Sequence, residues 1–479
     1  MLLIFPLYKF SKSELAPSED QGAMFASIES SVNSTIEQTE RYVKPIEDIL
    51  RSFDEAEVFF NVVQPSNGFS VITLKPWKER ERHVEELKMI AQAQVAQVAG
   101  IRTNIMTPPA LPGGSIFPIE FVITSTDEPK ELQKYANELI SAAYASKKFM
   151  YIDADLKYDY PQTKLMIDHE KIGTMGLNLS EIGRDVSIFL GGNYVNRFNM
   201  QGRSYKVIPQ VNRKSRLNPE QLNDLYIKGN GDNLIKLSTV STLEDSVEPR
   251  ELKKFQQLNS VKLQGLLPNG ITLDEGLKVL EDAAKNLPSS YQIDYAGQSR
   301  QLRTEGDSLT TTLILSFILI YLVLASQFES FRDPFIILFG SVPLALSAAL
   351  VFSFLGFTTM NIYSQVGLVT LIGLVSKNGI LIVEFANVLR EKGLSKLDAI
   401  KQSCLTRLRP VLMTSVATVV GHLPLMFAKG PGAGARNSIG MMLVTGMFIG
   451  TIFTLFVVPC IYTVVSKNKW VKKDIEVKF

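Results

Sequence analysis

Apolar residues divide the chain into two parts with different patterns. Residues 8–305 combine short alternating runs with amphipathic helical patterns, whereas residues 308–465 contain long, nearly uninterrupted apolar stretches. A helix that crosses a bilayer needs about 20 predominantly apolar residues. Residues 1–7 are apolar too, and we interpret them as the end of a truncated membrane helix. The second part predicts an α-helical transmembrane bundle with spans over residues 309–326, 334–355, 362–389, 410–428 and 437–465.

The first part predicts a large α+β domain. A strand, a helix and further strands occur twice: one strand begins at Gly22 and is followed by a helix over 34–53, and another begins at Phe117 and is followed by a helix over 130–146. Two such β-α-β units predict paired α+β subdomains. Residues 193–253 are more polar and rich in turns. Periodicity alone does not distinguish this arrangement from a generic secreted α+β domain.

The positions of lysine and arginine predict the orientation in the membrane. Segment 390–409 carries six of them and the tail 466–479 carries five, whereas segment 356–361 carries none and segment 429–436 carries two. Basic segments remain in the cytoplasm, so an odd number of spans places residues 8–305 outside. Because a seven-residue stub cannot export a domain of that size, we expect the chain to lack its N-terminal part or to work beside a second polypeptide that carries it. The alternative is that the stub is only a chance apolar start.

Composition excludes several classes of function. A net charge of +2 argues against a nucleic-acid binder. Cys404 and Cys460 lie in a basic segment and an apolar span, so no disulfide framework is implied. The three histidines, His83, His169 and His422, are far apart in sequence, and no pairing of a nucleophile with a base stands out. We therefore predict a protein that is not an enzyme and has no metal or other cofactor.

Lys377 is the clearest candidate for a functional residue. It lies near the middle of the apolar stretch 367–389. A lysine at bilayer depth costs roughly 2.5–3.5 kcal/mol on insertion scales and usually faces a partner or a water-filled path. Gly373 and Gly379, which flank Lys377 and Asn378, would let a neighbouring helix approach closely. The alternative is a lysine that extends to the headgroups, but each end of the stretch is about ten residues away.

The next span offers further polar candidates. Arg407 precedes Thr414 by seven residues, so both can face the same way on a helix. A hydroxyl can relay a proton or bind an ammonium group, although a snorkelling arginine and a threonine bonded to its own helix explain the pattern equally well. Pro410 predicts the first turn of this helix. His422 can titrate near neutral pH, and a histidine satisfied in the core is as plausible.

Several motifs along the chain carry a family resemblance. These segments are Leu15-APSEDQGAMFASIES, Asn67-GFSVITLKPWKER, Gly191-GNYVNRF, Leu324-ASQFESFRDP, Gln365-VGLVTLIGLVSKNGILIVEFA, Arg407-LRPVLMTS and Gly430-PGAGARNSIG. Together they resemble the C-terminal half of resistance-nodulation-division (RND) multidrug efflux permeases of the hydrophobe/amphiphile type.

The resemblance implies a homotrimeric pump of the bacterial inner membrane, driven by the proton motive force and connected to a periplasmic adaptor protein and an outer-membrane channel. It places residues 8–305 in the periplasm and implies that this chain needs an N-terminal permease half. The implied parts are a helix end over 1–7, a first porter subdomain over 8–115, a second over 116–192 and 254–305, a docking subdomain over 193–253, membrane helices over 306–466 and a cytoplasmic tail over 467–479.

The resemblance also implies roles for single residues. Lys377, with Asn378 beside it, Arg407 and Thr414 match the proton relay of the family. Two aspartates of the fourth span are their partners there, and this chain does not contain that span. A lysine between two carboxylates is stabilised as a cation, and protonation of the carboxylates removes that attraction, which gives the helix two arrangements.

Amphiphilic substrates are expected in the cleft between the porter subdomains. The glycine-rich loop that separates two drug pockets in well-known members is shortened here, which puts the transfer of pocket residues in doubt. The candidate substrate contacts are Phe59, Phe60, Phe69 and Phe117.

Two other functions remain open from the sequence. An RND exporter of metal ions or lipids is one, although neither a methionine cluster nor a different charge pattern around Lys377 supports it. A truncated permease fragment or assembly module without transport of its own is the other.

Overall fold

The computed structural model describes residues 4–111, 115–229, 231, 233–268, 270–306 and 308–466. The predicted cytoplasmic tail and the first three residues of the predicted helix end lie outside the described residues. The chain divides into two compact units, one formed by Met1–Asp155 with Leu252–Phe479 and the other by Leu156–Glu251. A short helix, α1 (Ile4–Phe10), opens the first unit.

An antiparallel sheet of four strands follows α1. Its order is β2-β3-β1-β4, and its strands are β1 (Ala23–Glu29), β2 (Ala56–Val63), β3 (Asn67–Leu74) and β4 (Arg102–Met106). Alternate residues of β1 are buried, as the period of two predicts. Helices α2 (Ile36–Arg51) and α3 (Val84–Val95) cover that face. On α2 the buried residues recur at helical spacing and fill the core with those of β1: Thr39, Val43, Ile46 and Leu50.

A second antiparallel sheet belongs to the same unit. Its central strand, β5, is buried along its whole length. The strands are β5 (Ile119–Ser125), β6 (Tyr151–Ala154), β13 (Lys254–Phe255), β14 (Leu258–Leu266) and β15 (Gln292–Tyr295), in the order β13-β14-β5-β15 with β6 also paired to β14. The accompanying helices are α4 (Pro129–Ala145), α7 (Leu273–Ala284) and α8 (Gly297–Gly306). Both sheets agree with the predicted alternation of strands and helices.

The unit Leu156–Glu251 has a small core of its own, formed by Ile172, Ile182, Ile227, Leu237 and Val240. Its elements are β7 (Tyr158–Ile167), α5 (His169–Thr174), α6 (Leu179–Gly191), β8 (Asn196–Met200), β9 (Arg203–Val207), β10 (Tyr226–Lys228), β11 (Leu234–Lys236) and β12 (Ser241–Pro249). This unit begins earlier than the predicted docking segment 193–253, because β7 pairs with β12 along its length. The roles of the subdomains stay predictions.

Five helices of the described chain are long and apolar enough to cross a membrane, which confirms the predicted number of spans. They are α9 (Ser308–Phe328), α10 (Arg332–Phe354), α11 (Ile362–Glu391), α12 (Lys396–Met426) and α13 (Ala433–Val465). Helix α13 packs against α10, α11 and α12. The approach is close: a Cβ on Gly440 of α13 would lie 2.5 Å from the backbone nitrogen of Met426, at the end of α12.

Helix α12 begins much earlier than its predicted start at residue 410. Pro410 therefore lies well inside the helix, and its assignment to the first turn is wrong. Ser395 is the N-cap, where its hydroxyl accepts a hydrogen bond of 3.3 Å from the amide of Asp398. Ala399, Ile400 and Ser403 are buried at helical spacing, so a stretch too polar to look like a span is nevertheless helical. Only residues 392–395 separate α11 from α12.

Three asparagines at the start, middle and end of α11 are hydrogen-bonded to α13. Each uses its side-chain amide, and each finds a hydroxyl group on α13. The pairs are Asn361 with Ser438 at 3.1 Å, Asn378 with Thr451 at 3.2 Å and Asn387 with Tyr462 at 2.7 Å. Because lipid offers no hydrogen bonds, such buried amides need partners within the protein. The pairs therefore fix how far α11 is displaced along α13.

Candidate functional site

Lys377 lies on an exposed stripe of α11. The stripe also contains Thr370, Gly373 and Glu384, at spacings that place all four residues on one side of the helix. A Cβ on Gly373 would meet no atom within 4 Å. Within the described part of the chain, Lys377 makes no hydrogen bond or ion pair. An ammonium group near mid-span needs a partner or water, and the described residues place no hydrogen-bonding or charged partner against this one.

Asn378, the next residue, belongs to a buried hydrogen-bonded triad. Its Nδ2 donates to Ser415 Oγ at 3.0 Å and to Thr451 Oγ1 at 3.2 Å. The hydroxyl groups of Thr451 and Ser415 are 3.1 Å apart. Helices α11, α12 and α13 are therefore joined next to Lys377. Sequence reasoning missed Ser415 and Thr451: Ser415 directly follows Thr414 at the end of a matched motif, whereas nothing around Thr451 distinguishes it.

The side chains of Arg407 and Thr414, both on α12, make different kinds of contact. The guanidinium carbon of Arg407 lies 4.6 Å from the ring centroid of Phe385 on α11, a cation–π arrangement. Its buried Nε has no hydrogen-bond partner among the described residues. The hydroxyl of Thr414 donates to the carbonyl of Val411 at 3.1 Å. In the described part of the chain, no hydrogen bond joins Lys377 to either residue.

His422 lies further along α12 than Thr414. Its Nδ1 donates to the carbonyl of Thr418 at 2.7 Å. This bond satisfies Nδ1 within its own helix, which favours the structural alternative for His422.

A cavity of about 240 Å³ lies where the two sheets of the first unit approach each other. Its walls combine apolar and polar groups, with the apolar Ile105 and Met106 on one side and Met150 and Leu266 on the other. The Glu85–Lys88 ion pair adds charge at its wall. Walls of this mixed character suit a small amphiphilic ligand.

The four candidate phenylalanines are placed differently relative to this cavity. Phe117 stacks on Tyr151 with ring centroids 6.1 Å apart, and its two neighbours in sequence line the cavity. Phe69 packs on Phe25. Phe59 lies under the guanidinium of Arg51 at 4.9 Å, and Phe60 is 59% exposed on β2. Their roles as substrate contacts stay predictions.

An ion pair links the two sheets beside Tyr151. Arg102 of β4 donates to Asp153 of β6 at 2.9 Å, and the hydroxyl of Tyr151 also donates to Asp153, at 3.4 Å. Burial raises the pKa of Tyr151, and the negative charge of Asp153 raises it further. The tyrosine therefore stays neutral and can act as a donor at physiological pH.

Comparison with known proteins identifies the family. Residues 1–466 match the AcrB/AcrD/AcrF family. The chain belongs to this family. It is therefore a multi-pass membrane protein of the RND efflux type. Among the described residues, no three His, Cys, Asp or Glu side chains are grouped so that they could hold a metal ion.

Curated relatives of the AcrB/AcrD/AcrF family align with almost the whole chain. An uncharacterized transporter of Haemophilus influenzae is 38% identical over 96% of this chain and 46% of its own length. The multidrug/solvent efflux pump membrane transporter MepB of Pseudomonas putida is 30% identical over 99% of this chain and 47% of its own length. The multidrug export protein AcrF of Escherichia coli is 30% identical over 95% of this chain and 46% of its own length. The chain spans about half the length of these relatives.

Proposed function

We propose that this chain is the C-terminal half of a proton-driven RND transporter that exports amphiphilic small molecules. The observation that carries the proposal is the position of Lys377, exposed on α11 near mid-span with no partner in the described part of the chain. A protein that inserts such a cation bears a cost of roughly 2.5–3.5 kcal/mol. That cost is offset if a second permease half brings carboxylates to the stripe.

Proton binding would then change the position of α11. Ionised carboxylates on a second permease half would attract Lys377, and their protonation would remove the attraction. Arg407, held over Phe385 with its Nε free of hydrogen bonds to the described residues, adds a second cation for the same carboxylates. Thr414 lies about two helical turns beyond Arg407 and can relay a proton only if its hydroxyl leaves the carbonyl of Val411.

The cavity between the two sheets would receive the substrate. Relatives named for multidrug and solvent efflux and the mixed apolar and polar walls of the cavity both favour amphiphiles over metal ions. In this proposal residues 8–305 lie in the periplasm, and the complete pump is a homotrimer of the inner membrane. A periplasmic adaptor protein and an outer-membrane channel would complete the export path. Neither a cofactor nor a nucleic acid takes part.

Transport by the completed pump tests the proposal. The chain is produced together with a matching N-terminal permease half, purified and reconstituted into liposomes with a fluorescent amphiphile. We expect the amphiphile to move when a pH gradient is imposed and to stop moving when a protonophore collapses it. The chain produced alone should give no drug resistance in a pump-deleted host. Transport at the same rate with and without the pH gradient would contradict the proposal, as would drug resistance conferred by this chain alone.

A further inference from the structure

Residues 12–20, here called the strap, connect α1 to β1 and pair with the start of α11. The amide of Met360 donates to the carbonyl of Lys12 at 2.8 Å, and the amide of Glu14 donates to the carbonyl of Met360 at 3.1 Å. Leu15 accepts a further bond of 3.2 Å from Ile362, the first residue of α11. The Glu14 carboxylate accepts a hydrogen bond from the Thr359 hydroxyl. The strap is therefore held to the end of the helix that carries Lys377.

The strap also caps α13. Glu19 Oε1 accepts a hydrogen bond of 2.8 Å from the amide of Ala435 in the first turn of that helix. The N-cap residue, Gly432, has no side chain to do so. A carboxylate at a helix N-terminus satisfies a free amide and interacts favourably with the helix dipole. Pro17 and Glu19 pack so closely on Gly434 that a Cβ there would lie 3.0 Å from Pro17.

At its other end the strap is anchored in the first sheet domain. Asp20 accepts two hydrogen bonds from Arg80, at 3.1 and 3.2 Å, and further ones from the amides of Val84 and Gly22. Both charged side chains are almost fully buried, with 1% and 2% exposed. Although burial raises the pKa of Asp20, these hydrogen bonds and the charge of Arg80 lower it overall. The anchor is thus ionised and rigid.

Between these attachments the strap forms part of the wall of the cavity. Glu14, Leu15, Ala16 and Ser18 line it. The ammonium of Lys12 donates to the carbonyl of Gly270 at 2.9 Å, a residue that also lines the cavity. One segment of nine residues therefore contacts the ends of two membrane helices and the cavity in which we place the substrate.

We propose that the strap transmits a displacement of α11 and α13 into the substrate cavity, and that Glu19 is a positioning residue for this coupling. This inference rests on the proposed function and assigns the step between proton binding and movement of the cavity wall. The strap is hydrogen-bonded to the starts of both α11 and α13, so it follows these two helices when they move.

Glu19 variants test the coupling in the liposome assay. We expect Glu19→Ala to lower the maximal transport rate about tenfold, because it removes a capping carboxylate, while the half-saturating substrate concentration and the gradient-driven proton flux stay within about twofold. Glu19→Gln keeps the acceptor oxygen and should restore most of the rate. Glu138, exposed on α4, provides the matched control, and Glu138→Ala should transport like the parent. A parental rate for Glu19→Ala, or equal losses of transport and proton flux, would overturn the proposal.

Cross-linking tests the same proposal by restricting movement at chosen positions, and each double-cysteine variant before cross-linking is the reference for the loss of its own side-chain contacts. Ser13 of the strap forms a β-bridge with Met360, which lies just before α11. A variant with Ser13→Cys and Met360→Cys, in which Cys404 and Cys460 are replaced by serine, can form a disulfide between strap and helix. Because the two segments move together in our proposal, this disulfide should leave transport unchanged. A short bifunctional thiol reagent joining Arg102→Cys to Asp153→Cys links the two sheets and should stop it reversibly. Arrest by the Ser13–Met360 disulfide would show that the strap slides along α11, and the proposal would be wrong. If the parent shows no gradient-driven transport, the proposed function fails instead.

Discussion

Lys377 and Asn378 are neighbours in sequence but lie in opposite environments: the lysine is exposed on α11, and the asparagine is 1% exposed within the triad with Ser415 and Thr451. A helix turns by about 100° between successive residues, which is enough to place one residue on a surface and the next in the core. The triad fixes the rotation of α11, and that rotation determines which way Lys377 faces. Asn378, which stabilises the packing of the helices, therefore also determines the direction in which the candidate functional residue Lys377 points.

Removal of the charge on Lys377 should abolish transport without loss of protein. Lys377→Met keeps most of the apolar stem but removes the positive charge, so carboxylates of a second permease half would have no cation to attract. Membrane abundance should be normal, because the substitution removes a desolvation cost. Lys377→Arg should also fail, since a planar guanidinium does not replace a compact ammonium. Efflux of a fluorescent substrate and immunodetection of the completed pump provide the measurements.

Lys401→Met is the matched control for Lys377→Met, since Lys401 is an exposed lysine of α12 outside the candidate site. It should transport at the parental rate. If Lys377→Met also does so, the relay role is wrong. A collapse in abundance would identify Lys377 as a structural contact.

Loss of the Asn378 amide should destabilise the bundle. Asn378→Ala leaves Ser415 and Thr451 bonded only to each other and to backbone, and interhelical hydrogen bonds in membranes contribute about 0.6–1.7 kcal/mol. Ser376→Ala is the control, because that buried hydroxyl bonds only to the carbonyl of Ile372 in its own helix. Thermal unfolding of the purified chain in detergent should show a larger decrease for Asn378→Ala. Equal decreases would mean that the triad does not stabilise the packing.

The buried pair of Asp20 and Arg80 should contribute strongly to stability at neutral pH. Removal of one partner of a buried ion pair costs about 3–5 kcal/mol, so Asp20→Ala should lower the free energy of unfolding by that amount. The native pKa of Asp20 is lowered. The contribution is therefore present above the unfolded value of about 3.9 and is lost as the pH falls through the native pKa. Unfolding of parent and variant at several pH values measures the difference.

Asp282 provides the control for Asp20, because its ion pair with Lys285 leaves both side chains at least 70% exposed. Asp282→Ala should have little effect at any pH. A loss for Asp20→Ala that does not decrease in acid would contradict the assignment to the ionised pair.

Gly440 should not tolerate even a methyl group. A Cβ there meets the backbone of Leu425 and Met426, which cannot move aside, and overpacking of this kind costs about 1–3 kcal/mol. Gly421→Ala is the matched control on α12, where a Cβ would meet nothing within 4 Å. Membrane abundance and thermal unfolding should decrease for Gly440→Ala alone. Identical behaviour of the two variants would place the crossing of α12 and α13 further apart than the structure does.

The proposed topology predicts opposite labelling of two exposed positions. Leu217 and Leu397 are 62% and 56% exposed, and each can be changed to cysteine after Cys404 and Cys460 are replaced. An impermeant thiol reagent added to cells with a permeable outer membrane should label Leu217→Cys and should reach Leu397→Cys only after lysis. Equal labelling of both positions in intact cells would refute the orientation.

The membrane spans could be predicted from the sequence, and Lys377 could be selected as a candidate residue, because both depend on local composition. Each span is a continuous apolar stretch, and a lysine within it is visible without any knowledge of contacts. The start of α12 was missed because residues 396–409 are polar, and their helical form depends on the Ser395 cap and on burial against the bundle.

Long-range contacts could not be predicted in this way. Glu19 and Ala435 are 416 positions apart, and no periodicity relates a carboxylate in a linker to an amide in a distant helix. The same holds for the partners of Asn378, since a serine or threonine in an apolar helix usually bonds to its own backbone. Only the assembled fold reveals which hydroxyl groups face the asparagine.

The three asparagines of α11 that bind α13 have a consequence for biosynthesis. Translation delivers α11 to the membrane before Ser438, Thr451 and Tyr462 have been made, so these three hydrogen bonds form only after α13 inserts. Asn378 and Asn387 have further partners on helices made earlier, Ser415 of α12 and Asp333 of α10. The position of α11 along its neighbours is therefore settled last, when the final helix of the bundle arrives.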